Sequence, residues 1–299
     1  MSAPELKKIN HAELPKFGDS SIPHIKRTLL RPPGMETPDI LGKYGLYQPN
    51  EVSRVIDQTT EISDGGKKLL TGLLKDGGVG MFGTETEFDL GIDYDSVYKS
   101  GYKNEVINPA LKELAVKIED RAANLQFSVD GVLAPESSGI KQAAILSSYL
   151  KNADCFSVKK NGHSSPFAVA VDSYTQGKTD VISIAQSLFD SMKVSGQQNL
   201  ILSDDIIDSG VMTQAVALIL QLAQEAGFNV HLVGIVTPIE KMYTHAGDSI
   251  REKLGDIPIF SSLKIEDIGY LSEKQAWIKV VGIDKAISCK LKDSRVKTE

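Results

Sequence analysis

Long apolar runs, cysteine and basic charge are all scarce in this chain of 299 residues, and each scarcity removes a class of function. No uninterrupted apolar run reaches the roughly 18–20 residues of a membrane-spanning helix, so no membrane role is expected. Residues 1–23 mix charges and proline without the apolar centre of a secretory signal, so export is not expected either. The two cysteines, Cys155 and Cys289, supply neither a disulfide framework nor a thiolate metal cluster. Both read as inert packing residues in a reducing compartment, the cytoplasm. Lys and Arg number 33 against 39 Asp and Glu, a formal net charge of −6. A nonspecific nucleic-acid binder needs the opposite balance, which disfavours nucleic acid as a partner. The five histidines, His11, His24, His163, His231 and His245, share no ligand spacing. What is present is 41% apolar and 24% charged residues, the make-up of a packed globule of one large α/β unit or two domains.

Proline divides the chain. Pro15, Pro23, Pro32, Pro33, Pro38 and Pro49 break up the region before residue 50. Two short helices are expected at about 50–60 and 66–75, the second stopping at Asp76-Gly77-Gly78. From about residue 104 strands and helices alternate. Asn108-Pro109 is expected to open a helix running through Leu111, Leu114, Val116 and Ile118. Apolar runs predict strands at 129–134, 155–158, 168–174, 181–185, 199–203 and 229–236, with helices at 140–150 and 212–226. That alternation predicts crossover units and a mostly parallel sheet flanked by helices on both faces. Ligands in such sheets bind beyond the carboxyl ends of the strands.

Gly78-Val79-Gly80-Met81-Phe82-Gly83 has the spacing of a dinucleotide site, but it follows a helix and runs into Thr84-Glu85-Thr86-Glu87. The motif works only between a strand and a helix, so these residues are expected to form a flexible loop. A stronger signal is Leu200-Ile201-Leu202-Ser203-Asp204-Asp205-Ile206-Ile207-Asp208-Ser209-Gly210-Val211-Met212-Thr213. An apolar strand delivers two adjacent carboxylates, and a Ser-Gly loop then turns into a helix whose first N–H groups form an anion site. Acids that grip sugar hydroxyls next to a phosphate pocket suit a phosphorylated ribose. The plainer reading is that Asp204 and Asp205 end a strand and Ser209 caps a helix. Three acids so close together repel one another, which favours a function for them.

This run resembles the phosphoribosyl-pyrophosphate (PRPP) signature of type I phosphoribosyltransferases, and Asp205-Ile206-Ile207-Asp208-Ser209-Gly210 is especially close to the hypoxanthine-guanine enzymes. Val211 and Met212 depart from it, standing where the family has small residues, so Thr213 is expected to supply the phosphate-binding hydroxyl. Other segments resemble the bacterial xanthine phosphoribosyltransferase and purine-operon repressor branch. They are Asn104-Glu105-Val106-Ile107-Asn108-Pro109, Pro135-Glu136-Ser137-Ser138-Gly139-Ile140, Ser173-Tyr174-Thr175, Gly234-Ile235-Val236 and Ile239-Glu240-Lys241. The resemblance covers about the final two-thirds of the chain. It implies an N-terminal extension of unassigned fold at 1–92 and a phosphoribosyltransferase domain at 93–299.

The resemblance also implies a reaction: phosphoribose passes from PRPP to a purine base, a 6-oxopurine such as xanthine or hypoxanthine being favoured, and pyrophosphate is released. Asp204 and Asp205 would hold the ribose hydroxyls. Ser209, Gly210, Val211, Met212 and Thr213 would hold the 5′-phosphate. Ser137, Ser138 and Gly139, with Lys159, would take the pyrophosphate. Asn104 and Lys241 would contact the base. Mg2+ would be carried by PRPP rather than by a protein metal site. Asp208 is either a general base or a solvated loop acid. Residues 160–171 are expected to form a loop that closes over the site, and a homodimer is implied. The alternative is a PRPP-sensing regulator of purine genes, which adds an N-terminal DNA-binding domain to the same core. Here the extension has no clear helix-turn-helix pattern, and its short basic run, Lys26-Arg27 to Arg31, adjoins Pro32-Pro33.

Overall fold

The computed structural model describes residues 23–25, 40–83, 88–93, 103–136, 139–151, 153–161, 167–172, 179–207 and 209–293. In chain order these form β1 (His24–Ile25), α1 (Ile40–Lys43), β2 (Leu46–Tyr47), α2 (Pro49–Gln58), α3 (Asp64–Asp76), β3 (Val79–Gly83), β4 (Phe88–Ile92) and α4 (Lys103–Leu125). The central part follows as β5 (Gly131–Pro135), α5 (Gly139–Tyr149), β6 (Asp154–Lys160), β7 (Ala168–Asp172), β8 (Thr179–Ile184), α6 (Gln186–Ser195) and β9 (Gln198–Ser203). The remainder is β10 (Ile206–Ile207), α7 (Val211–Glu225), β11 (Val230–Lys241), α8 (Ala246–Leu254), β12 (Ile259–Ser272), β13 (Gln275–Val280) and β14 (Ala286–Asp293).

Strand alternation builds two cores. Val132 and Ala134 of β5 and Ile201 of β9 face a cluster with Leu111, Leu114 and Ile118 of α4 and Leu146 of α5. Leu133, Leu200 and Leu202, the intervening residues, face a second cluster with Phe189 of α6 and Ala215, Val216 and Ile219 of α7. A strand presents successive side chains to opposite faces, so strands apolar at every position need helices on both sides. The sheet order is β1-β7-β8-β6-β5-β9-β11-β12-β13-β14-β3-β4, with β10 on β11 and β2 on β14. Eight of the thirteen strand pairings among the described residues are parallel. The expected α/β fold with a mostly parallel sheet is what forms.

The direction of the chain reverses at the centre. From β5 it crosses through α5 to β6 on one side; from β9 it crosses through α7 to β11 on the other. Right-handed crossovers in opposite directions put the two helices on opposite faces, as the two clusters require. The carboxyl ends of β5 and β9 therefore flank a topological switch point, where α/β sheets hold their ligands.

Residues before 93 share this core. Leu69, Leu70 and Leu73 of α3 and Val79 of β3 are fully buried in the cluster that holds Leu111 and Leu114. The α3–α4 contact is close: a Cβ on Gly65 would stand 2.7 Å from Ala110 Cα. The Gly65 N–H donates to Glu113 Oε1 at 2.8 Å, which ties the α3 N-terminus to α4. At the other end, β12–β13–β14 is an antiparallel meander around the buried Trp277. Tyr44, just after α1, closes over that indole with ring centroids 5.9 Å apart.

Several expectations need correction. Gly78–Gly83 is not a flexible loop: Val79–Gly83 is strand β3, paired with β4 and β14, because Val79 and Met81 are buried there. The helix expected to open at Asn108-Pro109 starts at Lys103, with Pro109 inside it. Proline gives up the bond to the Glu105 carbonyl and crowds it, and Glu105 is exposed, so the first turns can tilt that group toward water. Val116 of that helix is 52% exposed, off the face set by Leu111, Leu114 and Ile118. Residues 160–171 are not all loop, since Lys160 ends β6 and 168–171 lie in β7, where Val169 and Val171 join the second core. Cys155 is exposed and packs in no core, while Cys289 is buried. The chain between 236 and 299, where no strand was expected past 236, carries the rest of β11 and all of β12, β13 and β14. Among the described residues no helix is long and apolar enough to cross a membrane.

Candidate active site

The loops after β5 and β9 meet at the switch point. Asp204 closes β9 onto its neighbour, its N–H donating to Val236 O of β11 at 2.9 Å. The chain then folds on its own carboxylates: Asp204 Oδ1 accepts from the Asp205 N–H and Asp205 Oδ1 from the Ile206 N–H, each at 3.0 Å. Both acids are half-buried. The two residues of β10 pair with Ile239 and Glu240, so the acidic loop runs beside β11 until just short of Lys241. Asp208, which follows, lies outside the described residues.

Gly210 turns this loop into α7. It is the N-cap at φ +70°, a left-handed conformation that glycine adopts without strain. A Cβ there would stand 3.1 Å from Ile250 Cγ1 of α8, so α8 supports the turn from behind. Ser209 is half-buried, Val211 and Thr213 are buried, and Met212 is half-buried in the first turn of α7. The unpaired N–H groups of that turn and its dipole favour an anion.

The β5 loop supplies a second such end. Helix α5 starts at Gly139, whose Cβ position would lie 2.8 Å from Pro135 Cδ and 3.0 Å from the Ser203 carbonyl oxygen. Only glycine lets the α5 N-terminus come this close to the end of β9. Ser137 and Ser138 lie outside the described residues. Lys159, near the end of β6, reaches this loop, with Nζ 3.8 Å from Glu136 Oε1. The Glu136 N–H donates to Val158 O at 3.1 Å and fixes the loop to β6.

The end of β9 and the start of α5 thus meet at Gly139 and the Ser203 carbonyl, with Lys159 beside Glu136 on the β6 side and Asp204, Asp205, Ser209 and Gly210 on the loop that follows Ser203. Lys241 stands further along, buried at the carboxyl end of β11. Asn104 is in the first turn of α4, and its side chain lies outside the described residues. Sequence reasoning assigned no role to Glu136 or Ser203. Glu136 was legible from its place beside Ser137-Ser138-Gly139. Ser203 is fully buried, and its Oγ has no hydrogen-bond partner among the described residues; only the fold reveals that.

No family model matches the chain, and no curated protein matches it significantly. Solved structures that match the chain include adenine phosphoribosyltransferases. The enzyme from Trypanosoma brucei, in complex with AMP, pyrophosphate and ribose-5-phosphate, is 15% identical over 68% of this chain and 80% of its own, with a TM-score of 0.48. The one from Saccharomyces cerevisiae is 18% identical over 68% of this chain and 100% of its own, also with a TM-score of 0.48. The one from Thermoanaerobacter pseudethanolicus is 19% identical over 59% of this chain and 88% of its own, with a TM-score of 0.40. At these identities and scores the likenesses decide neither reaction nor substrate.

Proposed function

We propose that the crevice binds PRPP and a purine base and transfers the phosphoribosyl group between them. The observation that carries this reading is the pairing of β5 with β9 at the switch point, which seats the α5 N-terminus against the end of β9, where the acid pair and then the α7 N-terminus follow in the chain. PRPP has matching parts: a phosphate at one end, a pyrophosphate at the other and ribose hydroxyls in the middle. The α7 N-terminus, with Ser209 to Thr213, takes the 5′-phosphate, and the α5 N-terminus, with Ser137, Ser138, Gly139 and Lys159, takes the pyrophosphate. Asp204 and Asp205 accept hydrogen bonds from the ribose hydroxyls, charge-assisted and therefore strong.

In the reaction the bond from the anomeric carbon to the pyrophosphate oxygen breaks, a bond from that carbon to a purine nitrogen forms, and the nitrogen loses its proton. Positive charge develops on the sugar, so fixed carboxylates near it and helix ends on the leaving group lower the barrier. Asp208 is the residue we assign to take the proton. The donor set suits Mg2+ held chiefly by ligand oxygens: the acid pair and the phosphates are hard oxygen donors. When bound, the ion neutralises charge on the departing pyrophosphate.

For the acceptor we favour a 6-oxopurine, with the Lys241 ammonium donating to the 6-oxo oxygen and Asn104 to another edge of the base. The test is pyrophosphate release by the pure protein from PRPP and Mg2+ with xanthine, hypoxanthine, guanine, adenine or orotate. Release with a 6-oxopurine, lost in Lys241→Met, supports the assignment. Release with adenine alone overturns the base preference, and release with orotate alone removes purines altogether. PRPP binding without turnover, coupled to tight DNA binding, makes the protein a regulator.

A further inference from the structure

We infer that Glu136 is a built-in counter-ion that competes with the leaving pyrophosphate for Lys159, a positioning role that rests on the site reading above. Strand β6 ends in two lysines whose side chains point to opposite faces. Lys160 is committed, with Nζ 2.8 Å from Asp180 Oδ2. That carboxylate is buried and also accepts from Asn161 Nδ2 at 2.9 Å. Lys159 is held far more loosely. Its contact with Glu136 is 3.8 Å, beyond hydrogen-bond range, and the two side chains are 36% and 45% exposed.

The Glu136 backbone is anchored beside β6, because its N–H is bonded to Val158 O and β5 ends at the preceding residue. Its carboxylate lies 3.8 Å from the lysine we assign to pyrophosphate, on the residue that follows β5 and three positions before α5 begins. A loose, half-solvated pair is cheap to break. An incoming polyanion takes the ammonium and must also tolerate the nearby carboxylate. Glu136 thereby holds Lys159 at the crevice before binding and weakens the hold on pyrophosphate afterwards, which favours release of that product.

The test is calorimetric titration of the full chain with inorganic pyrophosphate and Mg2+, for wild type, Glu136→Gln, Lys159→Met and the double variant. Glu136→Ala serves as a second charge-removing variant, and thermal melts verify folding. Removing the Glu136 charge is expected to tighten pyrophosphate binding by about three- to tenfold at low salt, shrinking at about 0.5 M salt. Product inhibition should strengthen in parallel. In the Lys159→Met background the gain should fall below about twofold, since the competition is for that lysine. Unchanged or weaker binding in Glu136→Gln and Glu136→Ala overturns the inference, as does an equal gain with and without Lys159. If wild type binds neither pyrophosphate nor PRPP, the site reading fails and this inference fails with it. If it binds both but shows no coupling, the inference alone fails.

Discussion

Replacing Gly139 by alanine tests the crevice with one methyl group. The new Cβ would lie 2.8 Å from Pro135 Cδ and 3.0 Å from the Ser203 carbonyl oxygen, a ring carbon and a backbone atom, neither able to swing aside. Relief requires the α5 N-terminus to move away from the end of β9. Overpacking of this kind costs about 1–3 kcal/mol, and in a chain of this size that lowers the melting temperature by about 2–5 °C. The larger effect should be on function, because the displaced helix end is half of the anion site we propose. A shift approaching 1 Å costs on the order of 10²-fold in rate. Gly234→Ala is the control. Its Cβ would stand 2.8 Å from Ile201 Cδ1 and 2.9 Å from Phe260 Cε2, ends of side chains within the sheet rather than the crevice wall. It should lose stability yet keep its KM for PRPP below the melting temperature. The assays are scanning fluorimetry and initial rates of pyrophosphate release. Gly139→Ala with wild-type rate and KM would refute the idea that the two loops must meet there.

Three further outcomes are expected. A thiol reagent should label the exposed Cys155 in the native protein and Cys289 only on unfolding, because burial raises both thiols but pushes that of Cys289 up to about 12; equal labelling of the two in the native protein would contradict this. The Tyr47 hydroxyl donates to Asp284, which raises the Tyr47 pKa to about 12 and lowers that of Asp284. The tyrosine contribution to stability is thus full below pH 10, its ordinary value, and lost as pH rises through about 12. The carboxylate contribution is full above pH 3.8 and lost as pH falls through its lowered value, so Tyr47→Phe should flatten melting curves at both extremes. Removing residues 1–92 strips Leu69, Leu70, Leu73 and Val79 from the core, about 6–12 kcal/mol of apolar burial against a total stability of about 5–15 kcal/mol. Residues 93–299 alone should therefore fail to fold cooperatively by circular dichroism; a cooperative melt would show them to be independent.

The central sheet was legible because its strands are short, apolar at successive positions and bounded by turns. The acid loop was legible for the same reason: carboxylates after Leu202-Ser203 stand out against an apolar run. The last third resisted. In β12, Ser261, Ser262, Lys264, Glu266 and Asp267 interrupt the apolar pattern, and only the fold supplies partners such as the Glu240 carboxylate for Ser261 Oγ at 3.0 Å. Lys279 reads as a surface residue but is buried, its ammonium donating to Ile283 O. The role of α3 was hidden as well. Its glycines resemble breakers, yet Gly65 and Gly72 are what allow α4 to approach, and that is a property of two helices together. Ser203 shows the same limit, since nothing local distinguishes a buried hydroxyl from an exposed one.

The most direct measurement of the central claim is turnover by Asp204→Asn with Asp205→Asn, assayed as pyrophosphate release with every purine the wild type accepts. The substitutions keep shape and remove charge, and thermal melts verify folding. Two charge-assisted hydrogen bonds are worth roughly 1.5–3 kcal/mol each, so the double variant should lose about two to four decades in kcat/KM. The loss should be the same for each base, because the ribose is common to all of them. A folded double variant within about threefold of wild type, a difference near 0.7 kcal/mol, would contradict the account and leave Asp204 and Asp205 as nothing more than the end of a strand.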